Sequence, residues 1–415
     1  MIIFTISVIF LLEAWIFLLI SRRVEFYNPV LFFVALPVFY ANSLFLDHLK
    51  SDQGYLKLQS MPQTLSVYDF NYLIIVLLTF FYVAGIYLPV LTKSEKFDGL
   101  VKRRKFQIFE YEKNDTYTAL KIFFIFASLV YILFVSIQIY GLGRDEIKAM
   151  SGSVRSILLS TSFIFLCFSL MYKWRFRSLN IIILALLLFY SIVSFERENI
   201  LLVIYSLVVN LKSSKLSVRH VFLGLFLLGL MIYYKAIVGF FILYLNGGEV
   251  GNIGTNSIRL THIDPAVSLL MLSDFIDDGS NYIGYYGSYI VNTIMQIIRV
   301  FVDINWSSLG EYSTEYYTQG EMGTAFSMIL ESLLNFWYFG PIIIGAVITY
   351  IFYVTDKMSG IYYKLHYFIW FMFMLKFVRT ELAVVLKLYI VPAIIAYYLF
   401  VYSSKIRINF FRQIK

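Results

Sequence analysis

The sequence predicts an all-α polytopic membrane protein, and three observations support this fold class. Hydrophobic residues make up 60% of the 415 residues and charged residues only 14%, whereas about a quarter of an average soluble chain is charged. Apolar stretches of about 20 residues, the length that crosses a bilayer, recur along the chain. Aromatic residues account for 19% of the sequence and are typical of helix ends at a membrane interface. We therefore expect a single transmembrane bundle over residues 1–415.

About eleven apolar segments fit the length expected of a transmembrane helix. They are residues 2–20, 29–46, 71–91, 119–140, 156–172, 180–195, 199–211, 221–245, 325–354, 361–377 and 382–402. Segments 180–195 and 199–211 are short and are separated only by Glu196, Arg197 and Glu198. They are expected to cross separately or to form one bent hairpin. The first segment has no basic start and no small-residue cleavage site, which favours a retained helix over a signal peptide.

The distribution of Lys and Arg predicts the orientation of the bundle. Basic residues are concentrated in one set of connections, and the positive-inside rule makes that side cytoplasmic. These connections are 21–23, 93–113, 173–177, 212–219 and 405–415, with Lys357. The net charge of +8 then reflects topology and attraction to anionic lipid headgroups. Because the basic residues are divided among short loops, they form no continuous groove for nucleic acid.

One outward connection, residues 246–324, is far longer than an ordinary loop, and such loops are usually functional or disordered. It contains an amphipathic stretch at 266–276 and an apolar run at 289–302. The apolar run is too short to span a bilayer and suits a helix that lies at the interface or re-enters the membrane. We expect this loop to contain short helices and to form part of the active-site cavity.

Basic residues on the outward side are not explained by topology and suggest an anionic ligand. Charge at membrane depth normally faces a partner or a polar cavity, and guanidinium binds phosphate through paired donors. The candidate ligand-binding residues are Arg197, Arg259, Arg299 and Arg379, and other basic residues on this side include Arg155 and Lys376. Simpler explanations stay open, because Arg197 lies between two glutamates and Arg379 can pair with Glu381.

Four further residues have side chains suited to catalysis or substrate binding. His262 can act as a general base or hold a phosphate, although a structural or solvated histidine also fits. Glu331 lies one or two turns inside segment 325–354, where a carboxylate is costly unless it is paired or functional. Asn335 follows one turn later on the same face. Tyr286 belongs to a tyrosine-rich run that can stack on sugars or line the interface.

The sequence indicates no metal and no nucleotide cofactor. Cys167 is the single cysteine, and the four histidines lack the spacing of metal ligands. Neither a P-loop nor a dinucleotide-binding glycine pattern is present.

Two local motifs resemble those of O-antigen polymerases, the Wzy-type oligosaccharide repeat-unit polymerases. Segment 323–345, GTAFSMILESLLNFWYFGPIIIG, is similar to the signature in which Ser, Glu and an Asn-Phe-x-x-Gly-like run mark the re-entry of the outer loop. Segment 191–203, SIVSFERENILLV, resembles the family's arginine between two short spans. Glu196 stands where the family commonly has a small or hydroxyl residue. The resemblance covers the overall topology and these two motifs.

The resemblance implies a GT-C-type glycosyltransferase in a bacterial cytoplasmic membrane, with its active site facing the periplasm or exterior. It would transfer a growing glycan from undecaprenyl pyrophosphate to the non-reducing end of a lipid-linked repeat unit of O-antigen, capsule or exopolysaccharide. The arginines would hold the pyrophosphate, and His262 or else Glu331 would activate the acceptor hydroxyl. The expected partners are this lipid-linked oligosaccharide, membrane lipids and a protein that regulates chain length.

Three other functions are compatible with a membrane bundle of this kind. A flippase for lipid-linked oligosaccharides usually has two related halves, which are not evident in this sequence. An O-antigen ligase uses similar chemistry and is poorly separated from a polymerase by residues alone. A structural scaffold would leave the outward arginines without a purpose.

Overall fold

The structure is a computed structural model, and almost all of the chain that it describes is helical. The described residues are 1–22, 24, 28–51, 55–57, 64–92, 119–140, 142, 153–171, 177–194, 196–209, 265–279, 287–298, 302, 328–355, 361–377 and 382–405. The predicted span 221–245 and most of the long connection 246–324 lie outside these ranges.

The helices are numbered here in chain order over the described residues. They are α1 (Ile2–Ser21), α2 (Pro29–Ser51), α3 (Phe70–Thr92), α4 (Ala119–Ile139), α5 (Ser153–Met171), α6 (Arg177–Val193), α7 (Arg197–Val208), α8 (Pro265–Asp277), α9 (Ser288–Ile298), α10 (Met328–Phe336), α11 (Gly340–Thr355), α12 (Ile361–Phe377), α13 (Leu382–Val385) and α14 (Val391–Lys405). A 3-10 turn, Trp337–Phe339, joins α10 to α11, and a π-helical turn, Leu386–Ile390, joins α13 to α14. Between α2 and α3, strands β1 (Tyr55–Lys57) and β2 (Thr64–Ser66) form an antiparallel ribbon.

Within the described ranges, seven helical segments are long and apolar enough to cross a membrane. They are Ile2–Ser21, Pro29–Leu49, Phe70–Pro89, Leu120–Ile139, Val154–Met171, Met328–Phe352 and Leu386–Ser403. The predicted all-α membrane class is therefore supported, while the count of about eleven spans stays a prediction. The segments predicted at 180–195 and 199–211 form separate helices, α6 and α7, with shorter apolar stretches of Ser178–Val193 and Glu198–Val208.

The predicted span 325–354 is not one straight helix. Helix α10 ends at Phe336, and Trp337 then adopts a positive φ of 54°, which is uncommon for a residue other than Gly. A Cβ atom on Gly340 would clash with the backbone carbonyl of Ser332, whereas residues eight apart in a straight helix are separated by about 12 Å. The chain therefore bends back at Trp337–Phe339. The segment Met328–Phe352, which is apolar enough to cross a membrane by length and composition, thus consists of the short helix α10 and most of α11.

The described helices form two groups that are joined by α12. In the first group, α1, α2 and α3 pack on one another and α11 lies along α3; in the second, α4, α5, α6, α7 and α14 pack together. Helix α12 contacts α2 in the first group and α7 in the second. The ring of Phe371 on α12 makes both contacts, edge-on to Phe32 at 4.7 Å and stacked on Tyr205 at 4.0 Å between centroids.

Helices α8 and α9, from the long connection 246–324, pack against the bundle. Helix α8 lies against α2, α3 and α10, while α9 lies against α10 and α13. The predicted short helices of this connection are therefore present, and they contact the transmembrane helices directly.

Helices α3 and α11 approach each other backbone to backbone. A Cβ atom on Gly345 would clash with the carbonyl of Tyr82, and one on Gly85 would clash with the carbonyl of Ile342. The Thr349 hydroxyl donates a hydrogen bond to the carbonyl of Ile86 at 3.0 Å. Small residues allow such close packing in lipid, where little hydrophobic force draws helices together. This crossing fixes α11, and with it the position of α10.

Replacing Gly345 with Leu is expected to push α11 away from α3, because the new side chain has no space against the backbone of α3. The expected loss of stability is about 1–3 kcal/mol, measured as a lower unfolding midpoint of the purified protein in detergent. Val347→Leu is the matched control, since Val347 lies on the same helix and is 47% exposed. Equal stability of the two variants would contradict a close crossing.

Candidate functional site

A first cluster of buried polar groups joins α10 to the start of α13. Glu331 is only 1% exposed, and its Oε2 accepts a hydrogen bond from the backbone N–H of Leu382 at 2.9 Å. Leu382 is the first residue of the helical run 382–405, and the first N–H groups of a helix have no partner within it. Glu331, which lies on α10, thus accepts a hydrogen bond from the first N–H group of the helical run 382–405.

Asn335 joins the end of α10 to the start of α9. Its Nδ2 donates to the backbone carbonyl of Glu331 at 2.8 Å, and its Oδ1 accepts from the backbone N–H of Tyr289 at 3.0 Å. A second bond runs from the Gly287 N–H to the Leu334 carbonyl at 3.3 Å. Gly287 has a φ of +76°, a conformation that Gly adopts without strain. The predicted spacing of Glu331 and Asn335, one turn apart on one helix, is confirmed.

Tyr289 contributes its ring and its hydroxyl to the same cluster. The ring centroid lies 6.0 Å from that of Phe336 and 6.4 Å from that of Phe377. Its hydroxyl is buried and makes no hydrogen bond with the residues that the structure describes. Burial raises the pKa of this hydroxyl well above its usual value, and the negative charge of Glu331 raises it further. The phenol is therefore neutral at physiological pH. Tyr289 was not among the site residues predicted from the sequence, where it is the first residue of the apolar run 289–302.

A second cluster lies where α6 and α7 meet α12. Lys376 is 7% exposed, and its Nζ lies 3.8 Å from a carboxylate oxygen of Glu196 and 3.8 Å from one of Glu198. The same Nζ lies 4.6 Å from the ring centroid of Tyr389 in the π-helical turn. Asn199 Nδ2 also donates to Glu196 Oε2 at 3.0 Å. Because a buried charge is costly without a partner, these contacts hold the end of α12 against the start of α7.

The second cluster changes the interpretation of the segment around Arg197. Helix α7 begins at Arg197, and Glu196 lies at its N-cap position. Both carboxylates that flank this arginine in the sequence are in contact with Lys376 of α12. The side chain of Arg197 lies outside the described part of the structure, so its predicted role stays a prediction.

A cavity of about 220 Å³ lies beside the second cluster. Helices α4, α5, α6, α7 and α12 and the π-helical turn all contribute to its wall. Arg155 lines it and donates from Nη2 to Gln138 Oε1 at 2.7 Å. The other polar residues that line it are Ser156, Ser160, Tyr190, Ser194, Glu196, Asn199 and Tyr389. No sequence pattern predicts this cavity, because its lining comes from segments that are distant along the chain.

The two clusters meet at the junction between α12 and α13. Before the junction, Lys376 belongs to the second cluster, while the neighbouring Phe377 contacts Tyr289 of the first. After the junction, Leu382 donates to Glu331 and Tyr389 lies against Lys376. The sequence between Phe377 and Leu382 contains Arg379, and residues 378–381 lie outside the described ranges.

Five of the predicted site residues belong to parts of the chain that the structure does not describe. His262, Arg259, Arg299, Arg379 and Tyr286 all lie outside the described residues. Among the residues that the structure does describe, no group of three or more His, Cys, Asp or Glu side chains is arranged to hold a metal ion.

No family model, curated protein or solved structure matches this chain.

Replacing Lys376 with Met is expected to destabilise the protein by about 3–5 kcal/mol, because a buried carboxylate loses its cation. Glu198 is the residue most affected, since it is only 6% exposed. The double variant Lys376→Met with Glu198→Gln removes both buried charges and should recover most of this loss. Unfolding midpoints of the purified proteins in detergent measure the effect.

Glu196→Gln serves as the milder comparison for this pair. The Glu196 side chain is 46% exposed, so water can replace part of its contact with Lys376 and the loss should be small. Wild-type stability of Lys376→Met, or no recovery in the double variant, would show that the ion pairs do not hold α12 against α7.

Proposed function

We propose that this protein is a membrane glycosyltransferase that polymerises undecaprenyl-pyrophosphate-linked oligosaccharide repeat units at the outer leaflet of a bacterial cytoplasmic membrane. The observation that carries the proposal is the geometry of residues 328–345, the described part of the family-like segment 323–345. Its Glu331 and Asn335 lie on a short helix that bends back at Trp337–Phe339 and binds the starts of α13 and α9. A polar motif that joins the long connection to the bundle supports a reaction site at the membrane surface.

The chemistry of the proposed reaction requires a site of this kind. Both substrates are anchored in lipid, so their pyrophosphates and sugars meet at the bilayer surface. The acceptor hydroxyl attacks the anomeric carbon of the growing glycan, the bond from that carbon to the pyrophosphate oxygen breaks, and undecaprenyl pyrophosphate leaves. The hydroxyl proton passes to a base. Because the pyrophosphate is the leaving group, no nucleotide sugar is needed.

The proposed roles of the basic residues follow from this leaving group. Arg197, Arg259, Arg299 and Arg379 would bind the pyrophosphate and offset the charge that grows as the bond breaks. His262 would accept the proton of the acceptor hydroxyl. Tyr286 would contact sugar. A GT-C-like arrangement and a partner that regulates chain length also belong to the proposal.

For Glu331 the described contacts favour a positioning role over that of the base. A general base must reach the acceptor hydroxyl directly or through one water, whereas Glu331 is buried and bonded to the N–H of Leu382. Asn335 orients α9 in the same manner through the N–H of Tyr289. Both residues would hold the walls of the site, and Asn335, which is half-buried, would also be near enough to the surface to contact substrate.

One observation also fits transport. Two helix groups are joined by α12, and buried charges hold α12 to the second group. A flippase for lipid-linked oligosaccharides can use such an arrangement. Deletion of the gene, described next, distinguishes a flippase from a polymerase.

Deleting the gene in its host and displaying the surface glycan on a gel tests the proposed function. A polymerase predicts single repeat units in place of a ladder, because export and attachment continue without elongation. Complete loss of exported glycan would instead indicate a flippase, and polymer stranded on the undecaprenyl carrier would indicate a ligase. Either outcome, or an unchanged ladder, rejects the polymerase.

Complementing the deletion with variants tests the assigned residues. Arg197→Ala and Arg299→Ala should each lower polymerisation by about 100-fold or more, the usual effect of losing a group that stabilises charge in the transition state. Glu331→Gln keeps an oxygen for the Leu382 N–H and should retain the ladder, whereas Glu331→Leu should lose it. Phe126→Leu, which alters a side chain that is 66% exposed on α4, is the control.

The amount of protein in the membrane must be measured for every variant. If both arginine variants give normal chain lengths, the assignment of the pyrophosphate site is wrong. If Glu331→Gln abolishes the ladder at a normal protein level, Glu331 needs its charge and is more than a positioning residue.

A further inference from the structure

We propose that the cavity beside the second cluster binds a neutral sugar ring through its hydroxyl groups. The binding site itself is inferred from the cavity lining, while the identity of the sugar as part of a lipid-linked repeat unit rests on the proposed polymerase function. The proposal divides the substrate between two places, with the pyrophosphate at the arginines and a sugar in this cavity.

The volume of the cavity limits its occupant. It measures about 220 Å³, less than the roughly 300–1,000 Å³ of sites that hold drug-sized ligands. A single sugar ring suits such a space, while an oligosaccharide has to extend beyond it. The cavity therefore fits one residue of a glycan.

The chemistry of the lining matches a polyol. Ser156 and Ser160 contribute hydroxyls, which both donate and accept. The Ser194 hydroxyl donates to the Ser191 carbonyl at 3.3 Å and can still accept, while Asn199, whose Nδ2 donates to Glu196 at 3.0 Å, has a second amide hydrogen and a carbonyl oxygen. A sugar ring carries hydroxyls in several directions and needs both kinds of partner. The rings of Phe163 and Tyr190, 5.8 Å apart between centroids, also line the cavity and offer an apolar surface for the C–H face of a sugar.

The charges at the cavity favour a neutral ligand over a diphosphate. Arg155 and Glu196 both line it, so one cation is offset by one carboxylate. Arg155 already donates to Gln138, and the Lys376 charge is shared between Glu196 and Glu198. A diphosphate would be repelled by Glu196, whereas a carboxylate can accept hydrogen bonds from two neighbouring sugar hydroxyls.

The position of the cavity connects it to the proposed reaction. Glu196 lines the cavity and directly precedes Arg197, the residue at which α7 begins. Tyr389 lines it too and contacts Lys376, close to the junction between α12 and α13. A sugar bound here would lie beside the start of α7, where Arg197 stands in the chain, and close to the junction whose sequence contains Arg379.

Saturation-transfer NMR on the full-length protein in lipid nanodiscs tests the proposal; glycoside detergents are avoided because they would compete. The probes are D-glucose, D-galactose and N-acetyl-D-glucosamine, each alone, with inorganic pyrophosphate followed separately by ³¹P line broadening. At least one sugar should give a signal with the wild-type protein. Ser160→Phe fills the cavity and should weaken sugar binding by about tenfold or more, since several polar contacts are lost.

The control for this variant is Leu158→Phe, which adds a ring on the same helix at a position that is 53% exposed. It should bind the sugar as the wild type does, and pyrophosphate broadening should be the same in all three proteins. If Ser160→Phe does not elute as a folded protein, Ser156→Leu replaces it, because Ser156 also lines the cavity.

Three results would overturn the proposal: no signal from any of the sugars, an undiminished sugar signal in the cavity-filling variant, or loss of pyrophosphate broadening in that variant alone. Failure of the polymerase function gives a different pattern. Sugar binding that depends on Ser160, in a protein whose deletion leaves the glycan ladder intact, would keep the sugar site and reject only the polymerase.

Discussion

A lysine buried in an apolar bundle is costly unless anionic groups lie beside it. Lys376 is such a residue, and its need for carboxylate partners constrains how the helices around it pack. Its contacts with Glu196 and Glu198 hold the end of α12 against the start of α7. Since α12 also packs on α2, the same ion cluster connects the two helix groups. The ring of Tyr389 lies beside the Lys376 amine, so the lysine also contacts the π-helical turn. Two members of this cluster, Glu196 and Tyr389, also line the 220 Å³ cavity.

On the other side of the junction between α12 and α13, hydrogen bonds replace ion pairs. Glu331 binds the first N–H of the run 382–405, and Asn335 binds the start of α9. Both bonds are partly buried, so water competes for them less than at an exposed surface. The two clusters together fix α7, α9, α10 and α13 around the junction that contains Arg379. The proposed reaction needs rigid elements of this kind, because a site has to hold both substrates in a reactive orientation.

Composition and apolar length were enough to predict the helical membrane class, the short helices α6 and α7, and the polar pair on α10. The bend at Trp337–Phe339 was not predictable from hydropathy, because its residues are as apolar as a continuing helix. Gly340 and Pro341 were the local signals, because a Gly-Pro dipeptide often marks a turn. The close approach of Gly340 to the backbone of Ser332 is visible only in the structure. The partners of Lys376 lie far away in the sequence, and the cavity is lined by several helices. Such features arise from contacts between residues that are distant along the chain, and local sequence patterns do not predict those contacts.

Reconstitution of the purified protein in liposomes that contain a lipid-linked repeat unit, without any nucleotide sugar, examines the proposed activity in isolation. The proposed reaction predicts glycans longer than one repeat unit on undecaprenyl pyrophosphate, with one free undecaprenyl pyrophosphate released for each new linkage. Both products can be quantified by mass spectrometry. If folded protein leaves only single repeat units and releases no carrier, the proposed polymerase activity is wrong.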